Sequence, residues 1–133
     1  MVSYHEVYAG LWIALLVLGV ERFPREYGEA RMLSALTRYK QLRGMDPWVA
    51  EWLPELEDTL AGAEDAFKSA LAWGHTAGFC REDIVAGEVL IEIEEDLYRN
   101  ALSHFGPEGP DFHRVMLEFA KAFSGGLKTI WDV

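Results

Sequence analysis

Residues 7–20 read VYAGLWIALLVLGV, a run with no charge, amide or hydroxyl apart from the phenol of Tyr8. A helix that is apolar all round has to be covered on every side, because a helix at a surface keeps polar residues on its outer stripe. The run therefore predicts a central helix, with the rest of the chain as its cover. As a helix it rises roughly 21 Å, short of the roughly 30 Å hydrocarbon core of a bilayer. Residues 1–6 hold no Lys or Arg, and Glu21-Arg22-Phe23-Pro24 is a poor small-residue cleavage site, so a secretion signal is not expected either. The competing use of the run is an interface shared with a second subunit.

The remaining pattern is helical in period. Ser3 with Glu6 has capping-box spacing, and Phe23-Pro24 is the predicted end of the first helix. Met32, Leu36 and Tyr39 place a second helix over 25–42, with Gly44 as its stop. Asp46-Pro47 starts a short third turn carrying Trp48 and Trp52, and Pro54 breaks it. From Pro54, the stripe Leu56, Leu60, Ala63, Phe67 and Leu71 predicts a helix ending at Gly74 or Gly78. A fourth long helix is assigned to 82–105. Residues 89–94 also fit a short strand, but on a wheel Glu88, Glu92, Glu95 and Asp96 share one arc while Leu90, Ile93, Leu97, Tyr98, Ala101 and Phe105 fill the other. Gly106-Pro107-Glu108-Gly109-Pro110 is a loop, Asp111 caps a last helix with Phe112, Met116, Phe119 and Phe123 at 4, 3, 4 spacing, and Gly125-Gly126 ends it. Ile130 and Trp131 of the tail are expected to dock on the body. The predicted fold class is all-α, a compact five- to six-helix bundle in one domain around the central apolar N-terminal helix.

Half of the 133 residues are hydrophobic, far from the composition of a disordered chain. Cys80 is the single cysteine, which excludes an internal disulfide and fits a reducing, cytoplasmic setting. Net charge is −10, with six basic and four acidic side chains in residues 1–43 against six basic and eighteen acidic in 44–133. Such a surface repels phosphate backbones, so a basic protein is a better partner than nucleic acid itself.

The acidic ridge Glu88, Glu92, Glu95 and Asp96 is the candidate protein-binding face, partly offset by Arg99 and extended by Glu51, Glu55, Glu57, Asp58, Glu64 and Asp65. Glu94 points into the apolar arc of the same wheel, either at a seam reaching water or paired with Arg31 or Arg38. His5, His75, His104 and His113 have no metal-ligand spacing, and Cys80 sits five residues from His75, on a different helix face. No G-x-S-x-G, P-loop or G-x-G-x-x-G occurs. No cofactor or metal is expected.

Glu26-x-x-Glu29 and Glu55-x-x-Asp58 resemble the paired carboxylate motifs of MazG-type nucleotide pyrophosphatases, which would imply Mg²⁺ held between two facing helices. The resemblance covers eight residues. The bundle reading instead gives Glu26 and Glu29 to the N-terminal dipole of the second helix, and Glu55 and Asp58 to that of the helix from Pro54. The function expected is that of a small, acidic, non-catalytic protein-binding protein that occupies a basic, nucleic-acid-handling site on its partner, as toxin-immunity and phage-encoded inhibitor proteins do. A Mg²⁺-dependent hydrolase is the second reading, and a self-assembling subunit, a homodimer for instance, the third.

Overall fold

Ser3 starts the first helix, α1 (Tyr4–Val17). Its hydroxyl accepts the Glu6 backbone N–H and the Glu6 carboxylate accepts the Ser3 N–H, each at 3.2 Å, so two donors left over at the helix start are satisfied together. In the computed structural model, which describes residues 2–45, 47–94 and 109–125, this helix stops well before Pro24. Gly19 is the cause. At φ +84° it takes the left-handed conformation, while Val20 N–H donates to Leu15 C=O at 2.8 Å and Gly19 N–H to Leu16 C=O at 3.0 Å. That pair of bonds is the Schellman closure of a helix end. Val7, Leu11, Trp12, Ile13, Ala14 and Leu15 have no exposed surface, whereas Val17 is 42% exposed. The cover is complete around the middle of the helix and opens at its last turn. Among the described residues no helix is long and apolar enough to cross a membrane.

The chain is mostly helical but not all-α. Beyond Gly19 it runs into β1 (Arg22–Pro24), then α2 (Arg25–Met45), α3 (Pro47–Trp52) and α4 (Leu60–Ala77), and continues as β2 (Cys80–Val85), β3 (Glu88–Ile93) and α5 (Gly109–Phe123). The three strands form an antiparallel sheet in the order β1-β3-β2. The pure five- to six-helix bundle is therefore corrected to helices packed with a small sheet, and the helix expected over 82–105 is a β-hairpin as far as residue 93.

The hairpin forms because residues 84–93 combine β-branched side chains with a two-residue turn. Ala86 and Gly87 both have positive φ, +54° and +81°, and join the paired residues Val85 and Glu88. Two positive φ values in a two-residue loop define the type I′ turn, whose twist matches that of antiparallel strands. The wheel misled because residues i and i+4 share a face in a strand as well as in a helix. Glu88 and Glu92 fall together either way. Leu90 separates the two readings: a strand puts it on the glutamate face, opposite Pro24 and Asp83, and there it is buried.

Pro54 breaks the chain as expected, but no helix starts from it. The next helix waits for Thr59, whose hydroxyl accepts the Gly62 N–H at 3.0 Å. Leu60, assigned to the apolar stripe, is thereby the first helical residue and is 71% exposed. Gly78 closes α4 at φ +77°, with Phe79 N–H donating to Gly74 C=O at 2.7 Å, and turns the chain into β2. The core lies between α1, α2, α4, α5 and one face of the sheet. Phe23 of β1 stacks on Trp12 and meets Phe123 edge-on, with centroids 6.1 and 5.3 Å apart. Gly28 lets α2 approach this group: a Cβ there would lie 2.6 Å from the Phe23 ring and 2.8 Å from that of Phe67.

Candidate protein-binding surface

The structure does not build the acidic ridge as a helical stripe. Glu88 is exposed beside the hairpin turn, while Glu92 sits in mid-strand facing Arg22 on β1 and Arg81 on β2. Its carboxylate accepts from Arg81 Nη2 at 2.8 Å and Nε at 3.0 Å, so it is engaged within the sheet. Glu95, Asp96 and Arg99 lie outside the described residues. Glu94 reaches water, with 43% of its side chain exposed, and its ion pair at 3.6 Å is with Arg81, not with Arg31 or Arg38.

The basic residues of α2 explain where the remaining charge goes. Arg31 Nη2 donates to Ala122 C=O at 2.7 Å, and the Tyr27 hydroxyl donates to Gly125 C=O. Together they close the C-terminus of α5, whose last carbonyls lack partners in the helix itself. Arg43 does the same after α3, donating to the carbonyls of Leu53 and Ala50 at 3.1 Å each, and the Tyr39 hydroxyl holds Pro54 C=O at 2.7 Å. Arg25 pairs with Glu29 at 3.5 Å and Glu82 at 3.2 Å, Arg38 with Glu118 at 3.4 Å, and Lys40 with Asp58 at 3.2 Å. All five α2 cations are thus spent inside the molecule. Glu51, Glu57, Glu64, Asp65 and Glu88 are exposed and make no ion pair among the described residues.

Two acidic surfaces result. One runs from α3 through the loop to the first turns of α4. The other surrounds the hairpin turn, where Arg25, Glu26, Glu29, Ala86, Gly87, Glu88 and Val89 line an open cleft of about 410 Å³. Next to it Ile84 is 71% exposed and Val85 47% exposed, on an edge strand. Sequence reasoning missed this edge. The signal for it was Ala86-Gly87 between two β-branched runs.

The four carboxylates that a Mg²⁺ site requires at one point are held apart. Glu29 pairs with Arg25 at the start of α2, while Asp58 pairs with Lys40 and Glu55 with Arg43 near its end. From Glu29 to Lys40 the helix rises about 16 Å. Glu26 lies in the first turn of α2 as the dipole reading expects, but Glu55 and Asp58 precede Thr59 and belong to no helix start. Among the described residues no three His, Cys, Asp or Glu side chains converge as metal ligands. Cys80 is buried, and burial with the neighbouring charge of Glu82 pushes its thiol up to about 12, so it stays protonated and is a poor nucleophile.

No family model matches the chain, and no curated protein or solved structure is similar to it at a significant level.

Proposed function

We propose that this chain is a small, acidic, non-catalytic protein-binding protein that occupies a basic, nucleic-acid-handling site on a partner, in the way of a toxin-immunity protein or a phage-encoded inhibitor. The observation that carries the reading is the internal use of the α2 cations. Because they cap α5, brace α3 and pair with Glu29, Glu55, Asp58, Glu82 and Glu118, the exposed acids Glu51, Glu57, Glu64, Asp65 and Glu88 are left without an ion pair among the described residues. Uncompensated charge of one sign raises the encounter rate with a surface of the other and repels like-charged competitors. A nucleic-acid-binding site is basic because its Lys and Arg neutralise phosphates, and an acidic face can stand in for the phosphates it holds.

The test is capture from the native host by wild type and by a variant with Glu57, Glu64, Asp65 and Glu88 changed to Lys. These side chains are exposed, so the variant should keep its fold by circular dichroism. We expect wild type to retain a basic protein whose binding weakens as salt rises, and the variant to lose it. Equal capture by both would show that the acids are only solvated surface.

A further inference from the structure

We propose that the outer edge of β2 accepts an extended, basic segment of the partner as a fourth strand of the sheet, an inference that rests on the acidic binding reading and names the form its partner takes. The geometry begins at the turn. In a two-residue hairpin the pair flanking the loop exchanges both main-chain bonds, and such pairs then alternate along the ladder. With Val85 and Glu88 flanking the loop, Arg81, Asp83 and Val85 direct their main-chain groups to β3. Glu82 and Ile84 direct theirs outward. The Ile84 N–H agrees, since it donates at 2.9 Å to the carboxylate of its neighbour Asp83 instead of to the sheet.

Residues 81–85 are all exposed, so among the described residues nothing covers this edge. The devices that usually blunt an edge are a proline, a bulge, charged side chains, a covering element or a strand too short to pair. Of these β2 carries the charges of Arg81, Glu82 and Asp83, which bar a like-charged strand more than an opposite one. β1, the other edge, is three residues long and ends in Pro24. β2 runs six residues without a proline and presents Ile84 at 71% exposure.

Charge selects the occupant. A second copy pairing antiparallel through the outward groups of Glu82 and Ile84 would place Asp83 directly opposite its own counterpart, and would join two chains of net charge −10; like charges directly opposite oppose pairing. A basic strand meets the reverse. One face of it would look at Asp83 and at Arg81, whose charge Glu92 and Glu94 already engage. The other would lie along Ile84, on the side where Glu82 reaches α2, and lead to the cleft of Glu26, Glu29 and Glu88. Main-chain bonds supply the affinity in such strand addition, and alternate side chains the specificity. The segment expected is therefore extended, with basic residues alternating with apolar ones.

The probe is a short capped peptide alternating lysine and valine, titrated into the ¹⁵N-labelled full chain. We expect saturable shifts along 81–88 and at least about fivefold slower hydrogen exchange at the Glu82 and Ile84 amides. The same peptide N-methylated at every second amide, made in both phases, should bind about tenfold more weakly in one phase, the loss of one or two main-chain bonds. Ile84→Pro, which removes an outward donor from an edge where proline is tolerated, should weaken binding similarly. If methylation in either phase and Ile84→Pro leave affinity unchanged, strand addition is wrong while acidic binding stands. If a glutamate–valine peptide binds as well, the edge pairs but charge does not select, and the basic occupant is wrong. Protection at Glu82 and Ile84 that grows with protein concentration alone would make the occupant a second copy and overturn the proposal. No binding at low salt would overturn it too.

Discussion

Leu15→Ala is the sharpest test of the central helix. Leu15 has no exposed surface and belongs to the main core cluster. The substitution removes three carbons, about 2.4 kcal/mol of transfer free energy at about 0.8 kcal/mol each. A residual cavity of about 50 Å³ would add about 1.2 kcal/mol at about 24 cal/mol per Å³. The expected loss is therefore about 3.6 kcal/mol, within the usual range of about 2–5 kcal/mol for such changes. The carbonyl of Leu15, which accepts the Val20 N–H, is untouched, so the helix end should survive and the loss should report packing. Val17→Ala is the internal control. At 42% exposure it sheds little contact, and alanine's better helix propensity returns up to about 0.5 kcal/mol. Urea unfolding of the three proteins, with equal denaturant slopes, gives the differences. A loss below about 1 kcal/mol for Leu15→Ala, or one no larger than that for Val17→Ala, would refute the enclosed-helix reasoning.

The hairpin turn and the last helix give two further expectations. Ala86 at φ +54° occupies a conformation that asparagine accepts more readily, so Ala86→Asn should stabilise the protein by about 0.5–1 kcal/mol in the same assay, and a destabilisation would mean that the turn is not type I′. His113 has a buried Nδ1 with no partner among the described residues, and burial lowers its pKa below the ordinary 6.5. The unfolded chain then takes up a proton that the folded one refuses, so stability should fall as pH drops through about 6.5. Glu118 acts lower. Its hydrogen bond from Lys121, helped by Arg38, depresses its pKa below 4.5, so its contribution is complete above that value and disappears as pH falls through the depressed one. Replacing His113 with Gln should flatten the upper part of the stability–pH curve and leave the lower part; an unchanged curve would show that His113 is hydrated in the folded state.

How much of this was legible depends on whether the signal was local. The Ser3–Glu6 capping box is, because its two bonds span three residues. So is the stripe of α5, where Phe112, Met116, Phe119 and Phe123 are all buried as their spacing requires. Gly19 and Ala86-Gly87 were equally local and were overridden by longer periodic patterns. A glycine in an apolar run reads as tolerated until its neighbours lose their helical bonds. In the hairpin, the i, i+4 spacing of Glu88 and Glu92 satisfied two geometries at once, and only Leu90, which each geometry sends to a different face, could have decided between them.

The basic residues of α2 were visible but their use was not, since their partners lie up to 91 residues away along the chain. In sequence they suggest a positive half and a negative half. Folding superposes the two: Glu55, Asp58, Glu82 and Glu118, all from the acidic half, are brought to α2. Each of these exposed pairs contributes no more than about 1 kcal/mol to stability. Their larger effect is on the surface that remains. Every acid drawn to α2 cancels a cation there, and other exposed acids are left without an ion pair among the described residues. Two places hold them, the outer side of residues 51–65, with Glu51, Glu57, Glu64 and Asp65, and the hairpin turn, with Glu88. The exposed strand edge and the acidic cleft come together only at the second of them, and a basic partner that pairs with β2 meets both at once.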